Sequence, residues 1–485
     1  MNLTELFYAQ AAARPDHPLV LGPRDDDAVT YGAFAARVRA LGERLAGHGI
    51  TRGTNVGLHC PSGADYIALT YALWHAGACV TPIPTELAAA EKLAIAEAIH
   101  LDALLAAVPG LETLDALIAS APAVLADGCV LAPARPRRAP PAGLAAIDAA
   151  FIRFTSGTTG ASKGVVLSHR TIAERIVAAN AGLRIGPDDR VLWLLSMAYH
   201  FAVSIVAYLS FGATIVLCRN HFGVTIVDSV RARAATLLYG APSHFELMTH
   251  DRSGQMISSL RLAIATTARL RPEISEAFYR RFRLAPNETY GIIEVGLPAA
   301  NIHAPWEKRG SVGPPLPAYE LRLHEPGADG IGEIRLRGPG LLDAYYEPWL
   351  TREALLDQGG GWLATGDLGR LDGDGCLTIV GRTKELISVA GMKFFPQEVE
   401  AVLARHPAVR EACVYARADP HLGEVPHALV VLRGADPGTA TLAAFCREHL
   451  AAYKVPQVIR PVAQIPRTGS GKLVRDGSVL AAVAP

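Results

Sequence analysis

Hydrophobic positions near the start of the chain repeat with two different spacings. Between residues 28 and 50, apolar residues recur at steps of three and four, which is the period of an amphipathic helix. These residues are Phe34, Val38, Leu41 and Leu45. The runs at 56–60 and 78–83 are short and apolar, as buried strands are, and the segment 66–75 between them has the length of a helix. This strand–helix–strand order predicts a parallel sheet covered by helices.

The pattern changes twice further along the chain. Residues 132–144 are rich in proline and arginine, and proline disfavours both helix and sheet, so we expect a solvated connector there. Residues 312–370 contain short alternating segments, such as 320–323 and 333–337, with glycine and proline between them. These segments predict a small β-rich subdomain.

The residues after Lys384 form a further unit in which helical and strand-like patterns alternate. Helix, strand, strand and helix are predicted at 396–406, 412–415, 428–432 and 441–450. We therefore predict an α/β protein with two domains. Residues 1–383 form a large N-terminal domain of helix-covered sheets with the β-rich subdomain, and residues 384–485 form a small, mobile α+β C-terminal domain.

One uncharged stretch has two possible interpretations. No Asp, Glu, Lys or Arg occurs between Arg190 and Arg219, which is long enough for a membrane span. Serines and His200 interrupt the stretch, and the segment 211–213 resembles a helix end before a strand. We therefore expect a buried helix and strand of the α/β domain, and no membrane span.

Composition narrows the functional class. The 485 residues exceed one ordinary core, and 46 Lys and Arg balance 46 Asp and Glu, so no basic surface indicates nucleic acid as a partner. The seven cysteines are scattered without a CxxC pair, which fits a reducing compartment better than a disulfide framework. The first residues carry no basic and apolar leader pattern, so we expect a cytoplasmic protein.

A loop rich in glycine and hydroxyl residues is the strongest chemical signal. Glycines allow backbone N–H groups to approach a ligand closely, and hydroxyls and a lysine suit phosphate oxygens. The pattern differs from the G-x-x-x-x-G-K-[ST] loop of nucleoside triphosphatases, because glycine follows the lysine. The candidate nucleotide-binding residues are Thr155, Ser156, Gly157, Thr158, Thr159, Gly160 and Lys163. The alternative interpretation is a surface turn rich in Ser, Thr and Gly that binds no ligand.

Further motifs accompany this loop, and together they resemble those of the acyl-adenylate-forming superfamily. This superfamily contains acyl- and aryl-CoA ligases, stand-alone adenylation domains and luciferases. The loop resembles the family's phosphate loop, and the other motifs follow in the family's order. They are Tyr290-Gly291-Ile292-Ile293-Glu294, Thr365-Gly366-Asp367, Gly381-Arg382-Thr383-Lys384-Glu385 and Pro466-Arg467-Thr468-Gly469-Ser470-Gly471-Lys472. Residues 1–150 match only in general character.

The resemblance implies ATP and Mg²⁺ as cofactors and a role for each nucleotide-side motif. The phosphate loop grips the β- and γ-phosphates, Tyr290 and Gly291 belong to the nucleotide site, and Glu294 is the metal ligand. A carboxylate in this setting suits Mg²⁺, which prefers one or two carboxylates plus phosphate oxygens and water. The chain departs from the family at Ile293, where a threonine usually supplies a hydroxyl to the α-phosphate. We expect activity to survive this loss.

The resemblance also assigns the residues nearer the C-terminus. Asp367 accepts hydrogen bonds from the ribose hydroxyls, and Arg382 supports the ribose or the phosphate. Lys472 is the catalytic lysine that bridges the substrate carboxylate and the α-phosphate, where negative charge develops. Lys384 is the hinge about which the C-terminal domain rotates between adenylation and thioester formation. The segment 391–396 matches the loop that enters the site in the second orientation.

The nature of the acid is indicated by two segments. Phe201 stands about where adenylation domains for α-amino acids carry an aspartate, so an α-amino acid is disfavoured, and His200 matches a gating position of acyl- and aryl-CoA ligases. Thr267 and Ala268 lie in a segment that is usually glycine-rich and lines the acyl pocket. With Ile292, these residues are the candidate substrate contacts, and a threonine in place of glycine predicts a small, aromatic or short-chain acid.

The predicted reaction forms an acyl-AMP and then a thioester, with release of pyrophosphate and AMP. The thiol is that of CoA or of the phosphopantetheine arm of a separate carrier protein, and the sequence leaves this choice open. Two alternatives also stay open: a nucleotide-binding scaffold without catalysis, favoured only by Ile293 and the 266–267 segment, and a luciferase-like oxidase.

Overall fold

The computed structural model describes residues 2–24, 27–107, 111–126, 128–154, 164–468 and 473–482. Helices and strands alternate along the chain, as the hydrophobic pattern predicts. The α-helices in the described ranges are α1 (Leu3–Ala13), α2 (Tyr31–Gly47), α3 (Ala64–His75), α4 (Ala89–Ala98), α5 (His169–Leu183), α6 (Met197–His200), α7 (Ile205–Ser210), α8 (Gly223–Ala232), α9 (Pro242–Thr249), α10 (Pro272–Phe282), α11 (Arg352–Gln358), α12 (Pro396–Ala404), α13 (Thr439–His449) and α14 (Gly477–Ala482).

Strands occur throughout the described chain. Those before residue 220 are β1 (Pro18–Leu21), β2 (Ala28–Thr30), β3 (Asn55–His59), β4 (Cys79–Pro82), β5 (Ala103–Ala107), β6 (Ala123–Ala126), β7 (Cys129–Pro133), β8 (Ala149–Phe154), β9 (Gly164–Ser168), β10 (Arg190–Trp193) and β11 (Thr214–Leu217). Those after it are β12 (Leu237–Gly240), β13 (Leu262–Ala265), β14 (Asn287–Ile292), β15 (Gly296–Ala300), β16 (Glu320–His324), β17 (Gly332–Arg337), β18 (Ala344–Tyr345), β19 (Leu350–Thr351), β20 (Leu363–Leu371), β21 (Leu377–Arg382), β22 (Ile387–Val389), β23 (Met392–Phe394), β24 (Val409–Asp419), β25 (Gly423–Leu432) and β26 (Val458–Pro461).

Two large mixed sheets share one hydrophobic core. Their strand orders are β15-β14-β13-β12-β10-β11-β1-β2 and β19-β18-β9-β8-β4-β3-β5-β7-β6. The core joins residues of both sheets with α3, whose residues from Tyr66 to Trp74 are all buried. An all-buried helix has apolar contacts on every side. Strands β10, β12, β13 and β14 run parallel to one another, so their carboxyl ends meet at one edge of the first sheet.

Two smaller sheets follow in the chain. The antiparallel sheet β16-β17-β20-β21 is the predicted β-rich subdomain, and its last strand ends at Arg382. The sheet β23-β22-β25-β24, with β26 parallel to β25, begins at Ile387 and packs with α12 and α13 around a separate core. The predicted α/β class and the small α+β unit are confirmed, whereas the domain boundary between 383 and 384 stays a prediction.

The segment 132–144, predicted to be a solvated connector, contains regular structure at both of its ends. Ala132 and Pro133 are the end of β7, which pairs with β5, and a 3-10 helix at Ala142–Ala146 follows. Proline is tolerated here because β6 pairs with β7 only between Cys129 and Leu131, so the N–H that Pro133 lacks falls beyond that ladder. The Pro133 carbonyl still accepts a hydrogen bond from the Ala119 N–H, at 2.9 Å.

The uncharged stretch is a buried part of the fold, as predicted. It holds most of β10, then α6, α7 and β11, with all residues of α7 buried. Within the described ranges, no helix has the length and apolar composition to cross a bilayer. All seven cysteines lie in the described ranges, and no two of them are joined in a disulfide.

Candidate active site

A hydrogen-bonded carboxylate lies where three strands meet. Asp367 on β20 accepts a hydrogen bond from the Tyr290 hydroxyl, with an O–O distance of 2.6 Å. The Nε of Arg382 lies 2.8 Å from its other carboxylate oxygen. Asp367 and Arg382 are direct partners in the antiparallel pair β20–β21, so the ladder itself sets this contact. We call Tyr290, Asp367 and Arg382 the carboxylate cluster.

The carboxylate cluster is a charged site with unused capacity. Asp367 is 4% exposed, and the Asp367 carboxylate raises the pKa of Arg382. Burial, with Asp367 acting in the same direction, raises the pKa of Tyr290 well above its usual value. An ionised carboxylate offers about four acceptor sites, so Tyr290 and Arg382 leave room for two further donors. A pair of neighbouring hydroxyl groups matches this remaining capacity.

Glu294 lies at the end of the same motif and is held on both its side chain and its backbone. Its Oε1 accepts a hydrogen bond from the Tyr345 hydroxyl at 3.1 Å, and its carbonyl accepts one from the Leu342 N–H at 2.7 Å. The side chain is half-buried. A fixed carboxylate of this kind needs little reorganisation to bind a ligand.

A buried arginine supports the backbone around Glu294. Arg175 on α5 donates to the carbonyls of Ile293 and Gly340, at 2.8 and 2.6 Å, and to that of Glu294 at 3.3 Å. Burial lowers the pKa of Arg175 to about 10. The Ile293 side chain is 7% exposed and packs in the core, so it offers no donor at the position where a threonine was expected.

Magnesium is implied by the resemblance, and the donor set is compatible with it. Among the described residues, no group of three or more His, Cys, Asp and Glu could hold a metal ion by itself. Glu294 is a single carboxylate oriented by Tyr345. One carboxylate fits a magnesium ion whose other ligands are phosphate oxygens and water.

Aromatic side chains line the carboxyl ends of β10 and β12. Trp193 and Tyr239 are register partners in this parallel pair, and their rings stack at 5.2 Å with an interplanar angle of 7°. The His200 ring lies 6.3 Å from the Trp193 ring and 6.4 Å from the Tyr239 ring, edge-on to both. The structure therefore brings the predicted gating histidine to this edge of the sheet.

Buried hydroxyl groups lie next to these rings. The Ser204 side chain lies near the phenols of Tyr208 and Tyr239, and the Thr266 side chain lies near that of Tyr239. All four residues are buried, and burial raises the pKa of both phenols. We call Trp193, His200, Ser204, Tyr208, Tyr239 and Thr266 the aromatic edge.

Thr267 has an unusual backbone conformation next to the aromatic edge. Its φ is +74°, in the left-handed region that a β-branched residue rarely adopts. Thr266 precedes it and is tied to β12 by a 3.1 Å hydrogen bond from its N–H to the Gly240 carbonyl. Thr267 is half-exposed and Ala268 is exposed, so both are accessible at the carboxyl end of β13. Such strain costs about 1–3 kcal/mol and often occurs at functional sites.

Phe201 lies elsewhere, and its predicted contact with the acid needs correction. The ring is fully buried and packs against Tyr66, Tyr71 and Trp74 of α3, with centroid distances of 5.5–6.2 Å. A ring with no exposed surface cannot contact a ligand without leaving this cluster. The adjacent His200 is only half-buried, so neighbouring residues of one segment face different surroundings.

Arg153 connects two parts of the site. It is the penultimate residue of β8, directly before the strand enters the predicted phosphate loop, and its guanidinium donates to the Tyr199 carbonyl. The guanidinium also lies 5.5 Å above the Tyr199 ring. Burial lowers the pKa of Arg153 to about 10, opposed chiefly by Glu294. Its Nε is buried and has no hydrogen-bond partner among the described residues.

Comparison with known proteins identifies the family. A family model described as AMP-binding enzyme matches residues 7–346, and one described as AMP-binding enzyme C-terminal domain matches residues 398–472. The chain belongs to this family. Within it, sulfoacetate–CoA ligase of Cupriavidus necator is 33% identical over 98% of this chain and 96% of its own.

Solved structures agree with this assignment over the whole chain. The o-succinylbenzoate CoA synthetase of Bacillus subtilis, solved with its acyl-adenylate intermediate, has a TM-score of 0.83 and 25% identity, covering 98% of this chain and 97% of that one. ATP-bound MatB from Rhodopseudomonas palustris has a TM-score of 0.84 and 25% identity, covering 99% of both chains. The AMP-binding enzyme fold is thus shown, with acid activation and transfer to CoA as the family's chemistry.

The remaining predicted residues of this AMP-binding enzyme fall into two groups. Lys384 is exposed in the 3-10 helix Thr383–Glu385, between the β21 and β22 strands. Ile292 is half-buried and Gly291 exposed at the end of β14. Residues 155–163, with the phosphate-loop candidates, and Lys472 lie outside the described residues.

Sequence reasoning missed several supporting residues of this AMP-binding enzyme. Arg153 had a signal, because it is the one charge in the apolar segment 149–154. Trp193 and Tyr239 had a weaker one, as aromatic residues at strand ends. Arg175 had none, since an arginine within an amphipathic helix is ordinarily solvated.

Proposed function

We propose that this protein is an ATP-dependent, AMP-forming acid–CoA ligase that acts on a small or aromatic carboxylic acid. The carboxylate cluster supports the nucleotide half of this proposal, because its two remaining acceptor sites suit the paired hydroxyls of a ribose. Tyr290 and Arg382 hold the Asp367 carboxylate in place, so the nucleotide binds to a site that is already ordered.

The reaction has two steps. A carboxylate oxygen of the acid attacks the α-phosphorus of ATP, the bond to the β-phosphate oxygen breaks, and pyrophosphate leaves. The thiol of CoA then loses its proton to solvent, its sulfur attacks the acyl carbonyl, and AMP leaves with the electron pair of the broken acyl–oxygen bond. Lys472 is proposed to stabilise the charge that develops in the first step. Magnesium, when bound, neutralises phosphate charge, and Glu294 is the residue proposed to hold it.

The aromatic edge supports the choice of acid. Its stacked rings and buried hydroxyls form a compact wall beside Thr267, whose side chain occupies space that a glycine would leave open. The half-buried His200 and the half-exposed Thr267 at this wall favour an acid with a polar group or an aromatic ring over a long alkyl chain. The similarity to a sulfoacetate–CoA ligase also favours a short acid.

Pyrophosphate release from the full chain tests the proposal. The acids are sulfoacetate, 2-succinylbenzoate, benzoate, acetate and palmitate, each with Mg-ATP, with and without CoA. We expect release with a short or aromatic acid, acceleration by CoA, and an acyl-CoA product by mass spectrometry. Release that is accelerated by a carrier protein but not by CoA would make the carrier protein, and not CoA, the acceptor. Rapid turnover of palmitate would overturn the proposed acid.

A lysine variant tests the catalytic assignment. Lys472→Ala should lower the adenylation rate by about 100-fold, in the range that a single electrostatic group contributes. Lys308→Ala is the matched control, because Lys308 pairs with Asp372 and Asp374 on the surface of the β-rich subdomain. Equal loss in both variants would contradict a specific role for Lys472.

A further inference from the structure

The chain is joined on the two sides of residues 469–472, and we call the joined residues 466–467 and 473–474 the base of the Lys472 segment. Arg467 and Leu473 form an antiparallel bridge, and the Val474 N–H donates to the Pro466 carbonyl at 3.0 Å. These contacts join the chain before the segment to the chain after it. The orientation of this base therefore depends on the contacts of the chain that enters it, at Arg467, and of the chain that leaves it, at Arg475.

The outgoing side is held by a buried arginine, Arg475. Its guanidinium donates to both carboxylate oxygens of Glu400 on α12, one of them at 3.0 Å, and to the Val414 carbonyl at 3.0 Å. Its Nε lies 3.4 Å from Glu385. The three charged side chains are only 10–14% exposed. Burial alone would lower the pKa of Arg475, but pairing with Glu400 raises it.

Glu385 connects this group to the predicted hinge. It is the residue after Lys384, and its Oε2 also accepts a hydrogen bond from the Gln397 side chain at 2.8 Å. Gln397 and Glu400 lie on α12, in the same C-terminal unit as Arg475. Glu385 is therefore fixed to that unit by two side chains, whereas Lys384 is exposed.

The incoming side is attached through a more exposed ion pair. Arg467 forms an ion pair with Glu411 on β24, with side chains that are 47% and 30% exposed. Exposed pairs contribute little because water and salt screen them. This pair does not involve Glu385, so it offers a natural comparison with the buried group.

We propose that Arg475 is a positioning residue that joins Glu385 to the base of the Lys472 segment, so that rotation at the hinge is confined to Lys384 and the bonds before it. Glu385, Arg475 and the base then move as one body with α12. The proposal rests on the proposed function for the roles of Lys384 and Lys472. A rotation at one defined point delivers a side chain reproducibly, whereas a longer flexible hinge spreads its positions.

Two matched glutamate substitutions test the proposal in the full chain. Glu385→Gln removes the charge that faces Arg475 and leaves the Arg475–Glu400 pair in place, and Glu411→Gln removes the charge that faces Arg467. Hydrogen exchange measured by mass spectrometry on residues 383–390 should be about tenfold faster in Glu385→Gln, as expected when a local tie is lost. Glu411→Gln should exchange like wild type. Equal exchange in all three proteins would overturn the proposal.

Kinetics supply a second readout that a general loss of stability would not produce. With a saturating acid, Glu385→Gln should lower kcat for adenylation about fivefold with a much smaller change in the KM for ATP, because Asp367 remains the main charged partner of Arg382. Arg475→Lys should retain more activity than Arg475→Met, since a lysine can still pair with Glu400. A change in KM alone would contradict the positioning role.

The two proposals fail in different ways. If wild type releases no pyrophosphate with any acid, the proposed function fails, and the exchange experiment still decides whether Glu385 is tied to the C-terminal unit. If wild type is active and the hinge exchange is unchanged in Glu385→Gln, only the present proposal fails.

Discussion

The carboxylate cluster and the aromatic edge lie at neighbouring strand ends and are built in opposite ways. The carboxylate cluster consists of charged and polar groups whose partners are fixed by a β-ladder and one short hydrogen bond. The aromatic edge consists of stacked rings and shared hydroxyls from β10, α7, β12 and the end of β13. A group that is the same in every turnover, such as a ribose, can be recognised by few residues at fixed positions. The wall of an acid pocket depends instead on many contacts together.

The largest expected effect comes from removing the charge of Asp367 in the carboxylate cluster. Asp367→Asn leaves Arg382 without its ion pair and removes acceptor capacity, so kcat/KM for ATP should fall about 100-fold, equivalent to about 2.7 kcal/mol. Steady-state kinetics at varied ATP concentration measure this. Asp374→Asn, at a side chain that is 72% exposed, is the control and should behave like wild type. A normal KM for ATP in Asp367→Asn would exclude the ribose role.

The next effect is a pH dependence of stability next to the aromatic edge. His244 follows β12, accepts a hydrogen bond from the Ala241 N–H, and contacts His221 at 3.2 Å. Burial, with His221 adding to it, lowers the pKa of His244 to about 4. The unfolded chain, with a histidine pKa of about 6.5, binds the proton first as the pH falls, so the folded state loses stability between about pH 6.5 and 4.

Urea unfolding at several pH values measures this dependence. The contribution of His244 should be about 2 kcal/mol between pH 7 and 5, from about 1.4 kcal/mol per pH unit. His244→Asn should flatten the curve by that amount, because an asparagine can accept the Ala241 hydrogen bond without titrating. His449→Asn, at an exposed helical position, should leave the curve unchanged. The same slope in all three proteins would refute the assignment.

A smaller effect separates strain from pocket size at Thr267. Thr267→Gly removes a strained conformation and adds chain entropy to the unfolded state, so it should stabilise the protein by about 1 kcal/mol. Both Thr267→Gly and Thr267→Ala should admit a bulkier acid, measured as a lower KM for it. Only the glycine variant should raise the melting temperature. If alanine raises it equally, the strain argument is wrong.

The smallest expected effect concerns one hydroxyl of the aromatic edge. Tyr239→Phe keeps the ring that stacks on Trp193 and removes the contacts with Ser204 and Thr266. We expect a loss of about 0.5–1.5 kcal/mol in stability. The KM for the acid should change severalfold while the KM for ATP stays constant. A change confined to ATP would place Tyr239 on the nucleotide side instead.

The sequence predicted the polar side of the site and the element order better than the aromatic edge. Asp367 and Arg382 lie in short motifs whose spacing follows from a two-stranded ladder, and the amphipathic pattern of α2 appears directly in the hydrophobic positions. Trp193 and Tyr239 are 46 residues apart and meet only because their strands are neighbours in a parallel sheet. Such neighbours follow from the strand order, which local patterns do not contain.

Phe201 illustrates the same limit within a single turn of chain. It was assigned to the acid because it stands about where adenylation domains for α-amino acids carry an aspartate, but its ring is fully buried. The Phe201 ring packs against α3, whereas the neighbouring His200 ring lies against the rings of β10 and β12. Motif position alone therefore cannot decide which side chain of this segment faces the pocket.

The cysteines make the protein suitable for site-selective labelling. Burial raises the pKa of the Cys60 and Cys413 thiols to about 12, and all the cysteines except Cys218 are buried. Cys218 follows β11, whose neighbour β10 ends at the aromatic edge. A thiol-reactive fluorophore applied to the folded protein should therefore attach at this one position, where its emission can report the arrival of an acid without any engineered residue.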